Sequence, residues 1–278
     1  MKLKLWQVDA FAGALFEGNP AAVVPLDAWL EPRLMQAIAA ENNLAETAFF
    51  VRRETGRYDL RWFTPRSEVD LCGHATLASA YAVFRFLEPN REALRFDTRS
   101  GELFVRRRAG DLIAMALPSA GSKPFQAPAG FAKELATVLA APQPVELHFC
   151  EKGGGGSTSL LALWPSPQDI RALAASPPLE SLLLQANAAS LIATAPGDEG
   201  YDFVSRFFAP QLGMPEDPVT GSAHSVLAPF WARRLDRKTL KARQLSPRGG
   251  DLLCEVAGDG RVILEGRCLL YLSGDIEV

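Results

Sequence analysis

The chain has 278 residues, 48% of them hydrophobic, with 29 Lys and Arg against 32 Asp and Glu for a formal net charge of −3. That length suits one large domain or two modest ones, and that composition suits a packed core rather than disorder. The charge balance offers no basic stripe for nucleic acid, and no apolar stretch nears the ~20 residues needed to cross a membrane.

Residues 1–9 lack the apolar run and small-residue cleavage site of a leader and read as a first β-strand. Residues 32–42 place Leu34, Ala37, Ile38 and Glu41 at helical spacing, an amphipathic and peripheral helix. Glu46 then opens an apolar strand through Phe49 and Phe50, and a further strand ends at Phe63-Thr64-Pro65. Residues 73–84 are small and apolar on nearly every side, so this helix should be buried all round with a sheet wrapped about it. Residues 101–117 form a hairpin turning at Ala109-Gly110-Asp111, with Arg106, Arg107 and Arg108 as its solvated end.

Residues 121–144, rich in Pro and Ala, read as the connection between two halves. The four glycines at 153–156 read as a flexible hairpin turn, since no Gly-Lys-Ser/Thr follows to make a phosphate loop. Residues 169–184 give another amphipathic pattern, interrupted by Pro177-Pro178. Residues 222–231 form a second apolar helix that Pro229 should kink or shorten, and residues 250–276 a second hairpin. The four cysteines, Cys72, Cys150, Cys254 and Cys268, show no CxxC spacing and no nearby histidine pair. Neither a zinc site nor a disulfide framework is indicated, and a reduced cytoplasmic protein is expected.

The chain repeats itself. Phe63 aligns with Phe208 at an offset of 145, Gly73 with Gly221 at 148 and Gly101 with Gly250 at 149, in the same order along both halves. The expected division is 1–118, joined by the last strand at 266–278, and 119–265. Two glycine turns at equivalent positions, Gly73-His74 and Gly221-Ser222, each open a helix. Unpaired backbone N–H groups there are ready to hold an anion. If the halves face each other, both turns serve one cleft, where they would hold a substrate carboxylate and stabilise an enolate.

Glu46, beside Leu44, Phe49 and Phe50, reads either as a desolvated general base with a raised pKa or as a rim carboxylate facing water. His74 reads as a site residue or as a buried, hydrogen-bonded histidine. Asp217 reads as a site residue or as an N-cap-like group before Pro218, and Ser222 as a site residue or a helix-end hydroxyl.

Gly18-Asn19-Pro20, Asn43-Leu44-Ala45-Glu46-Thr47, Phe63-Thr64-Pro65, Leu71-Cys72-Gly73-His74-Ala75-Thr76 and Glu216 to His224 occur in that order, and Ser246-Pro247-Arg248-Gly249-Gly250 follows. Together they resemble the PhzF-like, phenazine biosynthesis-like, isomerase family. The match runs almost end to end, and Asp217-Pro218-Val219-Thr220-Gly221-Ser222-Ala223-His224 is its most specific block.

The resemblance implies the diaminopimelate-epimerase fold, α/β (α+β), with two pseudo-symmetric halves. Each half is a curved sheet around a central helix, with the active site in the cleft between them. It also implies no metal, no pyridoxal phosphate or other cofactor, and a homodimer. By the same resemblance Glu46 is the acid/base, supported by His74, Asp217 and Ser222, with Asn19, Gly73 and Gly221 lining the substrate site. Diaminopimelate epimerases carry a thiol at each turn. Here Cys72 stands at the first turn and Thr220 at the second, which argues against a two-thiol racemase.

The expected activity is a cofactor-independent isomerase that moves a proton α or vinylogous to a carboxylate. Its partner would be a small carboxylate-bearing substrate, with no nucleic acid and no membrane. The alternatives are an epimerase or racemase using Glu46 and Cys72, and a carboxylate-binding relative without catalysis.

Overall fold

The structure, a computed structural model, describes residues 1–153 and 157–278. The glycine run expected to make a turn at 153–156 therefore lies, for 154–156, outside the described residues. The chain divides into two compact units, Met1–Leu117 with Ile263–Val278, and Pro118–Val262.

The first unit holds β1 (Lys2–Ala10), β2 (Asn19–Leu26), α1 (Pro32–Asn42), β3 (Glu46–Glu54), β4 (Arg57–Phe63), β5 (Glu68–Val69), α2 (Gly73–Ala82), β6 (Ala93–Thr98), β7 (Gly101–Arg107) and β8 (Leu112–Pro118). The second holds β9 (Lys123–Pro124), α3 (Phe131–Val138), β10 (Glu146–Gly153), β11 (Ser157–Leu163), α4 (Pro167–Ala172), α5 (Pro178–Gln185), β12 (Ser190–Pro196), β13 (Phe203–Ala209), β14 (Met214–Asp217), α6 (Gly221–Leu235), β15 (Thr239–Gln244) and β16 (Gly250–Val256). The closing strand β17 (Arg261–Glu277) starts in the second unit and belongs to the first from Ile263 onward.

In the first unit the sheet closes on itself. Pairing runs β1–β2–β3–β4–β6–β7–β8 and returns through β17 to β1, with parallel pairs at β2–β3 and β4–β6. Inside lies α2, whose residues from His74 to Ala80 are all buried and which packs on β1, β2 and β3. The apolar face of α1, carrying Met35, Ile38 and Ala39, covers the outer side of β2 and β3.

The second unit repeats this plan. Antiparallel β10–β11, parallel β11–β12, antiparallel β12–β13, parallel β13–β15 and antiparallel β15–β16 reproduce the series from β1 to β7. Its central helix α6 touches β10, β15 and β16, so the sheet curls round it. The helices α3, α4 and α5 cover the outer face, where Phe131, Leu135, Ile170, Leu182, Leu191 and Phe208 share one core. A mixed α/β fold built of two like halves is thus what the sequence predicts and what forms.

The repeat extends to side-chain chemistry. Arg61 on β4 grips Glu68 through a fork, Nε to Oε1 at 2.7 Å and Nη2 to Oε2 at 2.9 Å, with its guanidinium 5.3 Å from the centre of the Phe63 ring. Arg206 on β13 grips Glu216 likewise, at 2.7 and 2.8 Å, with its guanidinium 4.9 Å from the Phe208 ring centre. Each fork pins the short hook, β5 or β14, that leads into the central helix. A bidentate guanidinium–carboxylate pair fixes direction as well as distance, which a lysine would not.

Three expectations need correction. Residues 121–144 are more than a connection: they contain β9 and α3, and Phe131, Leu135, Val138 and Leu139 are buried in the outer core. Pro229 does not shorten α6, which runs on to Leu235. Proline removes the N–H that would bond the Ser225 carbonyl, but the Ala120 N–H fills that place at 3.1 Å. The arginine run is not wholly solvated either. Arg107 turns inward, donating to the carbonyls of Phe84 and Pro89, which lie in and just after the π turn Val83–Leu87.

Replacing Arg206 by Met leaves Glu216 as a largely buried carboxylate with no guanidinium, and removes donors to the Ile170 and Leu173 carbonyls. Breaking one side of such a pair costs roughly 3–5 kcal/mol. Denaturant unfolding of the variant should show a loss of that order, and a loss below about 1 kcal/mol would mean that the fork does not hold the hook.

Candidate active site

The start of α2 in the first unit gathers three chemically active side chains. Cys72 is the residue before the helix, with extended backbone, and His74 is the second helical residue. Glu46 is the first residue of β3, paired in parallel register with Ala21 of β2. Alternation along the strand sends Thr47, Phe49 and Val51 toward α1, where Phe49 and Val51 join its core, and turns Glu46 to the opposite face, on which α2 lies. Asn19 is fully buried two residues before Ala21, hence on the same side as Glu46. It follows Gly18, whose φ of 75° and lack of room for a Cβ, which would sit 2.3 Å from the Ala10 carbonyl oxygen, admit only glycine.

The three groups are in contact. His74 Nε2 lies 3.0 Å from Glu46 Oε2, and His74 Nδ1 lies 3.5 Å from Cys72 Sγ. Relative exposures of 8% for Glu46, 6% for Cys72 and 5% for His74 remove the rim reading of the glutamate. The Oε2–Nε2 contact is at ion-pair distance but lacks hydrogen-bond alignment, so Oε2 has no hydrogen-bond partner. A buried carboxylate oxygen without a donor is costly unless a charge faces it or a ligand completes it.

Burial above all, and then the Glu46 carboxylate, push the Cys72 thiol up to about 11, so it is protonated at neutral pH. For His74 burial works downward, but the charges of Cys72 and Glu46 outweigh it and hold the imidazole well above its ordinary value.

The start of α6 in the second unit is built on the same template with different chemistry. Thr220 takes the place of Cys72, and Ser222 that of His74. Thr76 donates from Oγ1 to the Cys72 carbonyl, and His224, 148 residues on, contacts the Thr220 carbonyl through Nδ1 at 2.8 Å. Neither helix has a side-chain cap at its start, so the first N–H groups of both are open to an incoming acceptor. Asp217 is buried and accepts a short hydrogen bond from Thr220 Oγ1, while the N-cap position belongs to Thr220. The N-cap-like reading of Asp217 is therefore wrong.

Gln244, at the end of β15, gave no signal in the sequence. Its Oε1 accepts from the Thr220 N–H at 2.9 Å and its Nε2 donates to the Asp217 carbonyl at 2.7 Å. Ser246 adds a bond from Oγ to the Pro218 carbonyl at 2.7 Å. A single buried amide in a short strand has no spacing signal, so only the fold reveals that it clamps this turn. Of the expected site residues, then, Glu46, Cys72, Gly73, His74 and Asn19 belong to the first unit, and Asp217, Gly221 and Ser222 to the second.

A group whose folded pKa is raised stabilises the fold fully below its unfolded value and loses that contribution as pH climbs through the folded one. Wild type should accordingly exceed His74→Gln in thermal stability most at mildly acidic pH, with the gap closing on the alkaline side. A gap that stays level across that range would mean His74 is not an imidazolium.

Residues 8–274 match the family profile described as phenazine biosynthesis-like protein, PhzC-PhzF. An uncharacterized isomerase of Pseudomonas aeruginosa is 45% identical over 282 residues, covering 100% of both chains. The crystal structure of a phenazine biosynthesis protein of the PhzF family from Enterococcus faecalis superposes with a TM-score of 0.89 at 39% identity, covering 100% of each chain. A hydroxyproline epimerase from Agrobacterium vitis, crystallised with trans-4-hydroxy-L-proline, gives a TM-score of 0.63 at 12% identity, covering 99% of this chain and 92% of that one, a likeness of fold alone.

Proposed function

The chain belongs to the phenazine biosynthesis-like family, and from that premise we propose that it is an isomerase in which Glu46 moves a proton between carbons of a small carboxylate-bearing substrate. The observation that carries this reading is the buried Glu46 Oε2, free of any hydrogen-bond donor and 3.0 Å from His74 Nε2. Relatives at 45% identity over their full length are named isomerases, which supports the reaction class.

In this reading Glu46 takes a proton from a carbon α or vinylogous to the substrate carboxylate. The electron pair of the C–H bond passes into the conjugated system as a dienolate, and the same carboxyl returns the proton at another carbon. The open N–H groups at Gly73 and His74 are suited to hold the developing negative charge. His74 faces Glu46 as a cation and sets its orientation. The second turn enters the proposal on its own chemistry. Its open N–H groups at Gly221 and Ser222, with Asp217 fixed by Thr220, suit it to binding an anionic or polar group. Asn19 is assigned to substrate binding from its place beside Glu46, and no cofactor takes part.

The epimerase reading, with Cys72 as a second base, is disfavoured by the thiol itself. A group pushed up to about 11 is almost wholly protonated at neutral pH, whereas thiol bases work as thiolates.

Exchange of solvent deuterium into a panel of unsaturated and amino carboxylic acids, followed by mass spectrometry, tests the assignment whichever acid is the substrate. Glu46→Gln should cut exchange by roughly 100- to 10,000-fold while binding persists, the range typical of general acid–base groups. Cys72→Ala should reduce it far less. Exchange lost in Cys72→Ala and retained in Glu46→Gln would transfer the proton to the thiol and defeat the proposal.

A further inference from the structure

The trio at the head of α2 has a second property that proton transfer does not require. We infer that Glu46, Cys72 and His74 form a binding site for one thiophilic divalent cation of the zinc type, and that the bound ion blocks the acid–base group. One ligand atom from each residue lies within 4.8 Å of the others, and the three make the one such cluster among the described residues.

The donor set selects the ion. Sulfur, imidazole nitrogen and a carboxylate oxygen are zinc ligands, whereas magnesium and calcium call for six or more oxygens. The spacing agrees. Four-coordinate zinc, with bonds of about 2.0–2.3 Å, sets neighbouring ligand atoms roughly 3.3–3.6 Å apart. Here His74 Nε2 stands 3.0 Å from Glu46 Oε2 and 4.0 Å from Cys72 Sγ. Shifts of about half an ångström would bring these two edges to that spacing, and the third, between Glu46 and Cys72, lies within 4.8 Å.

An independent observation points to a ligand. Glu46 is more than nine-tenths buried, and its Oε2 has no hydrogen-bond donor. A cation bonded to that oxygen would complete it directly. The supports are rigid, since Cys72 and His74 flank the first helical residue and Glu46 begins a strand paired on both sides. Three protein ligands leave a fourth position for water, the arrangement of an open zinc site.

On binding, the Cys72 thiol and the His74 imidazolium each release a proton to solvent. Thiolate and carboxylate then offset the two charges of the ion. The site is not a cofactor site, because the ion occupies the oxygen that the proposed reaction needs to take up a proton. That consequence rests on the proposed role of Glu46, whereas the binding itself does not. The sequence spoke against zinc for want of CxxC or paired histidines. The third ligand comes from a strand that only the fold brings beside the Cys-x-His pair.

The protein, stripped with a chelator and kept reduced, is titrated with zinc sulfate against a chromophoric chelator, and separately with cobalt(II). One equivalent should bind, and the cobalt form should show thiolate-to-metal charge-transfer absorption in the near ultraviolet, a wild-type readout needing no variant. Magnesium should not compete. Cys72→Ser, His74→Gln and Glu46→Gln should each weaken zinc by at least about 10-fold, because loss of even an outer-shell partner commonly costs 10- to 100-fold. Absence of stoichiometric binding, a cobalt form without the thiolate band, or affinity unchanged in all three variants would overturn the site. Zinc-inhibited deuterium exchange, restored by chelator, upholds both site and blockade. Binding with undiminished exchange upholds the site and instead defeats the role given to Glu46.

Discussion

A helix with no polar face can exist in water only inside something, and this constraint organises each unit. From His74 to Ala80 every residue of α2 is buried, so a sheet must surround it. Eight strands of the first unit do so by closing into a ring. Closure has a chemical consequence. The head of the helix, with N–H groups that no side chain caps, is carried to the end of the ring where β3 begins, and there Glu46 meets it. The forked pair of Arg61 and Glu68 then fixes the hook through which the chain enters that helix.

The second unit keeps the constraint and changes the chemistry. Glu46 opens the strand that pairs in parallel with β2, and Ser190 opens the strand that pairs in parallel with β11, where it shares a hydrogen bond with Ser159 at 2.7 Å. Cys72 corresponds to Thr220 and His74 to Ser222. Three ionisable groups in one unit thus have three hydroxyls as their counterparts in the other. The duplicated parts are those that build the frame, the forks and the bonds from Thr76 and His224 to the helix-start carbonyls. The parts that differ are the side chains at the strand and helix starts, ionisable in the first unit and hydroxyl-bearing in the second.

The sequence displayed what is periodic or duplicated and hid what depends on a single contact. The two apolar helices, the hairpins after them and the ordered echoes from Phe63 to Gly250 were legible because packing imposes a pattern on many residues at once. Glu46 was visible as a carboxylate opening an apolar strand, but its burial was not, since a strand start faces either core or water with equal local propensity. Pro229 misled because the compensating donor, the Ala120 N–H, lies more than a hundred residues away. Arg107 misled because its neighbours Arg106 and Arg108 suggest solvent, while its own partners are carbonyls beyond α2. Gln244 gave no signal at all. An amide that clamps a turn looks like any other buried polar residue until the turn is seen.

The electrostatics of the trio pull His74 in two directions. A helix start favours negative charge, so the open N–H groups of α2 assist the carboxylate and work against an imidazolium. Burial works against it too, and the charges of Cys72 and Glu46 together hold His74 above its ordinary value. Under the proposed reading, the Glu46 part of that support falls away when Glu46 accepts a proton from carbon. His74 then stays buried beside Cys72 while part of what holds its proton is withdrawn. Under the proposed reading, proton uptake at Glu46 and the hold on the His74 proton are thereby linked, with no change of fold.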